Sequence, residues 1–97
     1  MATEKYILVT QYSEHSRIES DFIQALFEYE LVYPEERDDE KFIDEKDINE
    51  IEKMFRLHRD LGLNYEGLGA VNEMLSRIRE LQNEMDNLRK RLRLYES

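Results

Sequence analysis

The hydrophobic positions of this chain change their spacing along its length, and each spacing predicts an element. A β-prone run at residues 6–9 predicts a short strand. Thr10 is placed to cap a short helix over residues 11–15 by accepting a hydrogen bond from a free backbone amide. From Ser20 to Glu30, with Glu19 or Ser20 as the cap, apolar residues recur at helical spacing and predict a second, amphipathic helix. The residues that share its apolar face are Phe22, Ile23, Leu26 and Phe27.

The segment LVYPEERDDEKFI, residues 31–43, predicts a β-hairpin with strands at residues 31–33 and 41–43. Pro34 cannot donate a hydrogen bond to a neighbouring strand, so we expect it at the end or edge of one. Residues 35–41 hold five acidic and two basic residues and nothing apolar. The pattern therefore predicts a hairpin with a strongly acidic tip.

A third helix is predicted over residues 44–61 because its start combines two signals. Asp44 occupies the capping position, and Ile43 and Ile48 flank it at the spacing of a hydrophobic staple. Asp47 adds an acid that faces the positive end of the helix dipole. The residues expected to be buried on this helix are Ile48, Ile51, Met54 and Phe55.

Gly62 is expected to end the third helix, since glycine adopts the left-handed conformation without steric cost. Leu63, Asn64 and Leu68 then repeat the start signal, and nothing stops the fourth helix before the chain ends. Two further glycines, at 67 and 69, are interpreted as points of close approach to the preceding helix, with a local break as the alternative.

The fourth helix carries an unbroken heptad pattern, which predicts a coiled coil. A helix of about 30 residues is about 45 Å long, too long for so small a domain to cover, so we expect it to pair with a second copy. Acidic residues occupy its first and middle parts and basic residues crowd its end, which favours an antiparallel homodimer. The predicted dimer interface is Val71, Met74, Ile78, Leu81, Met85, Leu88, Leu92 and Tyr95.

Charge divides the chain into the two units that the pattern suggests, residues 1–62 and residues 63–97. The first unit has 8 Lys and Arg against 17 Asp and Glu, a balance of −9, and the second has 6 against 6. The chain has no cysteine, which fits a reducing compartment, and no apolar run long enough for a membrane span. We therefore expect a cytoplasmic protein without contact with a membrane.

The order of elements, together with three stretches of sequence, resembles the MerR-type winged helix-turn-helix proteins. The most specific stretch is RLHRDLGLNYEGLGAVNEML, residues 56–75, followed by LQNEMDNLRKRL, residues 81–92, and RIESDFIQALFEYELVYP, residues 17–34. Together they look like the CbpM-type chaperone modulators, a branch of the MerR-like proteins. The resemblance implies a mainly α fold: a winged helix-turn-helix with a small β-hairpin and a long C-terminal coiled-coil helix.

The resemblance also implies a function. CbpM-type proteins bind and inhibit the J-domain of a CbpA-type, DnaJ-like co-chaperone, whose basic helix and adjacent loop stimulate a DnaK-type ATPase. Covering that helix would keep it from DnaK. The resemblance thus implies a non-catalytic regulator that acts by occlusion.

Charge argues against DNA as the partner, because a DNA reader neutralises phosphates with lysine and arginine. Arg17 is the only basic residue between Thr10 and Glu30, and the predicted wing is acidic. The same acids would attract a basic protein surface and so speed its encounter with this protein. An acidic loop can equally be a solvated tip, and a MerR-like transcriptional regulator or an adaptor for another basic protein stays open. The candidate partner-binding residues are Glu14, Glu19, Asp21, Glu28, Glu35, Glu36, Asp38, Asp39 and Glu40.

Other chemistry finds little support in the sequence. The hairpin acids do not have the spacing of a calcium loop. His15 and His58 lie far apart without cysteine, so His58 is expected to be packed rather than a ligand. No phosphate-binding loop and no nucleophile with a base at a known spacing is present. The sequence thus predicts neither an enzyme nor a cofactor.

Overall fold

The computed structural model describes residues 5–96 and shows a mainly helical chain with one small sheet. Residues 1–4 and 97, which the predicted units 1–62 and 63–97 include, lie outside the described residues. The elements are β1 (Tyr6–Leu8), α1 (Val9–His15), α2 (Ser20–Glu28), β2 (Glu35–Arg37), β3 (Glu40–Asp44), a 3₁₀ turn (Glu45–Asp47), α3 (Ile48–Leu61) and α4 (Tyr65–Glu96).

The sheet has three antiparallel strands in the order β1-β3-β2. β1 joins the hairpin by pairing with β3, with Ile7 opposite Ile43. Just beyond that ladder, the Glu45 N–H donates to the Lys5 carbonyl at 2.9 Å. β1 and the start of α3 are therefore tied to one edge of the body. α1 and α2 form the helix-turn-helix, and β2 with β3 forms the wing, as the sequence predicts.

The predicted strand at residues 31–33 is wrong. The amides of Leu31 and Val32 bond back to the Leu26 carbonyl at 2.9 and 3.5 Å, so the segment closes the end of α2 as a turn. Val32 is 4% exposed and packs in the core. Its β-branched side chain is therefore buried without the segment pairing as a strand. The first strand of the hairpin lies instead at Glu35–Arg37, within the expected acidic loop.

The hairpin turns on two residues, Asp38 and Asp39, with φ of 52° and 62°. Two successive left-handed residues are the backbone of a type I′ turn, whose twist matches that of the strands. Aspartate tolerates this conformation better than most residues, because its short side chain can bond locally. The acidic tip is therefore a structured hairpin rather than an open loop.

Two predicted helix ends differ from the structure. α1 begins at Val9 rather than residue 11, and the position before it, Leu8, makes no side-chain cap. α2 ends at Glu28 rather than Glu30, because Glu30 adopts a left-handed φ of 57° and leaves the helix. Glu19 precedes α2 and makes no side-chain cap. Neither expected side-chain cap is formed, and at α2 the Phe22 amide donates to the Glu19 backbone carbonyl at 3.1 Å.

The two side chains predicted to cap α3 and α4, Asp44 and Asn64, both accept a hydrogen bond from a backbone amide. Asp44 accepts a hydrogen bond from the Lys46 amide at 3.0 Å, although it caps the 3₁₀ turn, and α3 begins at Ile48 rather than directly after the cap. Gly62 is left-handed, with φ 66°. Asn64 Oδ1 accepts from the Gly67 N–H at 2.7 Å.

α4 runs without a break through both of its glycines. A Cβ on Gly69 would lie 3.1 Å from Leu31 Cδ2, so the close approach is to the segment after α2 rather than to the preceding helix. A Cβ on Gly67 would lie 3.1 Å from Asn64 Oδ1, within the cap of α4 itself. Both neighbours differ from the expected one, α3.

One hydrophobic core joins the sheet and all four helices. The predicted apolar face of α2 is buried as expected, and Ile51 and Met54 of α3 are fully buried while Ile48 and Phe55 pack at the edge. Leu68 of α4 is also fully buried, so the first turns of α4 pack on the same body. The fully buried side chains are Ile23, Leu26, Ile43, Ile51, Met54 and Leu68.

Candidate protein-interaction site

The predicted partner-binding acids lie on four elements of the helix-turn-helix and wing and on the connections between them. Glu14 is on α1, Glu19 precedes α2, and Asp21 and Glu28 are on α2. The remaining five lie on β2, the turn and the start of β3. All nine are exposed except Glu35, which is half-buried.

A contact between the wing and α2 brings the acids of these two elements near each other. Lys41 Nζ donates to Gln24 Oε1 at 3.1 Å and lies 5.8 Å from the centre of the Phe27 ring. Lys41 is the last base of the acidic segment, and this contact holds it at the α2 side of the hairpin. The wing therefore stands beside the exposed face of α2. We call these nine acids and their surroundings the acidic face.

The other base of the wing is also held by its own hairpin. Arg37 Nε lies 3.6 Å from Glu35 Oε1, and its guanidinium lies 5.2 Å from the centre of the Tyr6 ring. The ion pair is exposed and contributes at most about 1 kcal/mol. Because Arg37 and Lys41 are both engaged, the wing presents mainly carboxylates to solvent.

An aromatic cluster beside the acidic face was not predicted from the sequence. Tyr65 at the start of α4 stacks on Tyr29 and on His58, with ring centres 5.3 Å apart in both pairs. Phe22 meets Phe55 edge to face at 5.3 Å and contacts His58 at the same distance. These rings come from α2 and the residue that follows it, from α3 and from α4, so only tertiary packing brings them together.

All the rings of this cluster except Tyr29 line a cavity of about 340 Å³ between α2, α3 and α4. Glu19 and Asp21 of the acidic face line it, together with Arg17 and Arg59. Aromatic rings supply contact area at low entropic cost, and the charged groups supply orientation. The arrangement suits a side chain of a protein partner.

His58 is packed, as expected. Its Nδ1 lies 2.7 Å from the Leu63 carbonyl oxygen. Because a carbonyl only accepts, Nδ1 is the donor in this bond. The bond ties the end of α3 to the turn that starts α4.

Burial raises the pKa of two ionisable groups elsewhere in the body, Tyr12 and Asp47. It is the largest cause that raises the pKa of Tyr12, and the charge of Glu52 raises it further. It also raises the pKa of Asp47, where the charge of Asp44 acts in the same direction. Residues 5–96 hold no group of three or more side chains that could hold a metal ion.

The predicted dimer seam lies along the part of α4 that extends beyond the body. Val71 is half-buried against the body, and the other seven seam residues are between 43% and 89% exposed. Leu94 is exposed as well, at 76%. α4 has 32 residues, about 48 Å at 1.5 Å per residue, so most of it projects away from its own domain.

Comparison with known proteins agrees with this architecture. A model of the MerR helix-turn-helix family of regulatory proteins matches residues 7–90. The chain belongs to this family. It is also 25% identical over 80 residues to the chaperone modulatory protein CbpM of Pseudomonas entomophila, covering 81% of this chain and 79% of that protein. The expected MerR-like family is thus confirmed, and the expected similarity to CbpM-type proteins is found over most of the chain. Within residues 5–96, no helix is long and apolar enough to cross a membrane.

Proposed function

We propose that this protein is a non-catalytic modulator that binds the J-domain of a CbpA/DnaJ-like co-chaperone and inhibits it. The observation that carries the proposal is the acidic face, which occupies the helix-turn-helix and wing where a DNA reader needs bases. The similarity to a chaperone modulatory protein supports the same conclusion. Inhibition follows from occlusion, since a basic helix covered by this protein cannot dock elsewhere.

The electrostatics of the acidic face favour a cationic protein over DNA. Exposed carboxylates on α2 and the wing would approach phosphates at a cost, whereas they accelerate encounter with lysine and arginine. A MerR-like DNA-binding regulator is the second candidate, and only the family match favours it.

Affinity also requires apolar contact, and two exposed tyrosines near the acids can supply it. Tyr29 is 47% exposed and stacks on Tyr65, and Tyr33 is 70% exposed beside the wing. Tyrosine is enriched among the residues that dominate interface energies. We propose that these rings anchor the partner while the carboxylates guide it.

The proposal includes a homodimer formed through α4. The exposed apolar seam from Met74 to Tyr95 would be covered by the same seam of a second copy. The antiparallel arrangement sets Arg89, Lys90 and Arg91 beside the acidic part of the partner helix. Residues 63–97 are then the dimerisation unit, with its first turns shared with the body.

Calorimetric titration with the J-domain of the CbpA-like co-chaperone from the same organism tests the proposal, at about 50 and about 300 mM salt. We expect micromolar or tighter binding that weakens with salt, and no heat with duplex DNA. Neutralising the tip by D38N/D39N/E40Q is expected to weaken binding by roughly tenfold at low salt.

A matched control removes the same charge from α4, at three acids that face away from the seam, by E66Q/E73Q/E80Q. This control should bind like the unaltered protein, because these acids lie outside the acidic face. Equal losses in both triple variants would show a general charge effect. Heat with DNA and none with the J-domain would instead establish the DNA-binding regulator.

A further inference from the structure

A cationic patch interrupts this acidic molecule next to the helix-turn-helix. The connection from α1 to α2 and one side of α3 enclose a depression of about 390 Å³. His15 lines it from the end of α1, Arg17 from the connection, and Arg56 and Arg59 from α3. Glu52 is the one acid in its wall. We call this depression the arginine patch.

Two arginines of this patch are unpaired. Arg59 is engaged, since its Nε donates to Asp60 Oδ1 at 2.9 Å and its guanidinium lies 5.5 Å from the centre of the Phe55 ring. Arg17 and Arg56 are exposed, and neither has a carboxylate at ion-pair distance among residues 5–96.

Most other bases of residues 5–96 also lack an ion pair, so the distinguishing feature of the patch is that Arg17, Arg56 and Arg59 line one depression. Like charges gathered at one site repel each other, at a cost that an arriving anion removes. Guanidinium groups also match a carboxylate with two parallel hydrogen bonds. The patch is therefore suited to a localised anionic group.

We propose that the arginine patch receives a carboxylate side chain of the protein partner. For the partner's identity the inference rests on the proposed function. The partner then meets this protein with charges of both signs, bases on the acidic face and an acid on the patch. Such a two-signed contact fixes the orientation of the partner, which the acidic face alone leaves free.

The surroundings favour a single carboxylate over a nucleic acid. The neighbouring cavity shares Arg17 and Arg59 with the patch, but Glu19 and Asp21 also line it. A continuous polyanion that contacted the patch would pass over these carboxylates, whereas one side chain would not. The patch is therefore placed for an acid on a surface that is otherwise basic.

The test is titration of the J-domain into R17E/R56E. The direction in which the affinity changes depends on whether the partner places a basic or an acidic group at the patch. If the partner offered only basic groups, two further acids would tighten binding. If a carboxylate docks on the patch, the same change weakens it by about tenfold or more. R79E/R93E is the matched control, with the same change of charge on the outward side of α4, and it should bind as tightly as the unaltered protein or more tightly.

Two further measurements keep the result specific. R17Q/R56Q, which removes charge without adding any, should give an intermediate loss, and circular dichroism should show unaltered folding of every variant. Replacing, in turn, each surface acid of the J-domain by arginine should identify one that restores binding to R17E/R56E.

Each of the other outcomes overturns the inference in a distinguishable way. Unchanged or tighter binding by R17E/R56E would show that the arginine patch receives no carboxylate, and it would leave the proposed function intact. Absence of any J-domain binding by the unaltered protein removes the proposed function, and the inference with it. Binding of duplex DNA that R17E/R56E abolishes would assign the patch to phosphate.

Discussion

At the scale of single residues, burial of Tyr12 leaves its hydroxyl in an unfavourable position. The side chain is 8% exposed, and the hydroxyl has no hydrogen-bond partner. Burial is the largest cause that raises the Tyr12 pKa, and Glu52 raises it further through its charge and through a hydroxyl–carboxylate contact whose geometry is too poor to satisfy the hydroxyl. A buried polar group without a partner costs free energy that removing the group recovers.

Tyr12→Phe is therefore expected to change the free energy of unfolding at neutral pH by less than about 0.5 kcal/mol, in either direction. The pKa of Tyr12 is higher in the folded than in the unfolded state. As pH rises past the unfolded value of about 10, the unfolded state loses its proton first, so Tyr12 makes the protein less stable there. The variant should lose less stability between neutral pH and about pH 11.

Urea unfolding of both proteins across this pH range measures the difference between their free energies of unfolding. The contribution of the other five tyrosines is the same in both proteins and cancels in this difference. A loss of more than about 1 kcal/mol at neutral pH would show that the hydroxyl has a partner after all.

At the scale of elements, local chemistry predicted the junction between α3 and α4 but not the start of α1 or the end of α2. The Asn64 cap and the left-handed Gly62 are set within a few residues, and both were predicted correctly. The segment at residues 31–33 was not, because Val32 is held by the core and by a carbonyl of α2 rather than by a strand. Local β propensity does not indicate whether a residue will pair in a strand or be buried in the core as part of a turn.

Removing the Asn64 cap tests how far α4 depends on its first turn. Asn64→Ala loses the 2.7 Å bond to the Gly67 N–H, and we expect the free energy of unfolding to fall by about 1 kcal/mol. Asn64→Asp keeps an acceptor oxygen and should stay within a few tenths of a kcal/mol. Urea unfolding measures both, and equal losses would mean that the amide group acts through something other than capping.

The wing offers a test in the opposite direction. Asp38 and Asp39 both hold positive φ, which Asn-Gly adopts more readily in a type I′ turn. D38N/D39G should raise the free energy of unfolding by roughly 0.5–1 kcal/mol, through both easier backbone geometry and less repulsion among acids. D38N/D39N removes the same charge without adding glycine, so thermal unfolding of the pair separates geometry from charge. Destabilisation by the glycine would show that the aspartates make local bonds that the turn requires.

At the scale of the whole molecule, composition predicted the acidic character of the candidate site but not its layout. The excess of acid over the first 62 residues is visible in the sequence. The contact of Lys41 with Gln24, which sets the wing beside α2, joins residues 17 apart in the chain. The aromatic cluster and the arginine patch likewise combine α2, α3 and their neighbours, so only the fold places them together.

The exposed seam of α4 leads to the last prediction, an antiparallel dimer. Leu81 and Met85 lie near the middle of the seam and are 43% and 51% exposed in one chain. L81E/M85E would bury four charges in a dimer, so sedimentation should show a monomer. Asn83→Glu adds a charge on the side of the helix opposite the seam and should stay dimeric.

The orientation of the dimer can be tested with one cysteine, because the chain has none of its own. Tyr95 is 89% exposed at the end of the seam. In a parallel dimer two cysteines at this position face each other and oxidise to a disulfide, which needs Cα atoms within about 7 Å. In an antiparallel dimer that pairs residues 71–95 they lie about 36 Å apart, at 1.5 Å per residue. We therefore expect Tyr95→Cys to sediment as a dimer yet remain unlinked after oxidation, on a non-reducing gel. Rapid and complete cross-linking would establish the parallel arrangement and set the basic ends of the two helices together.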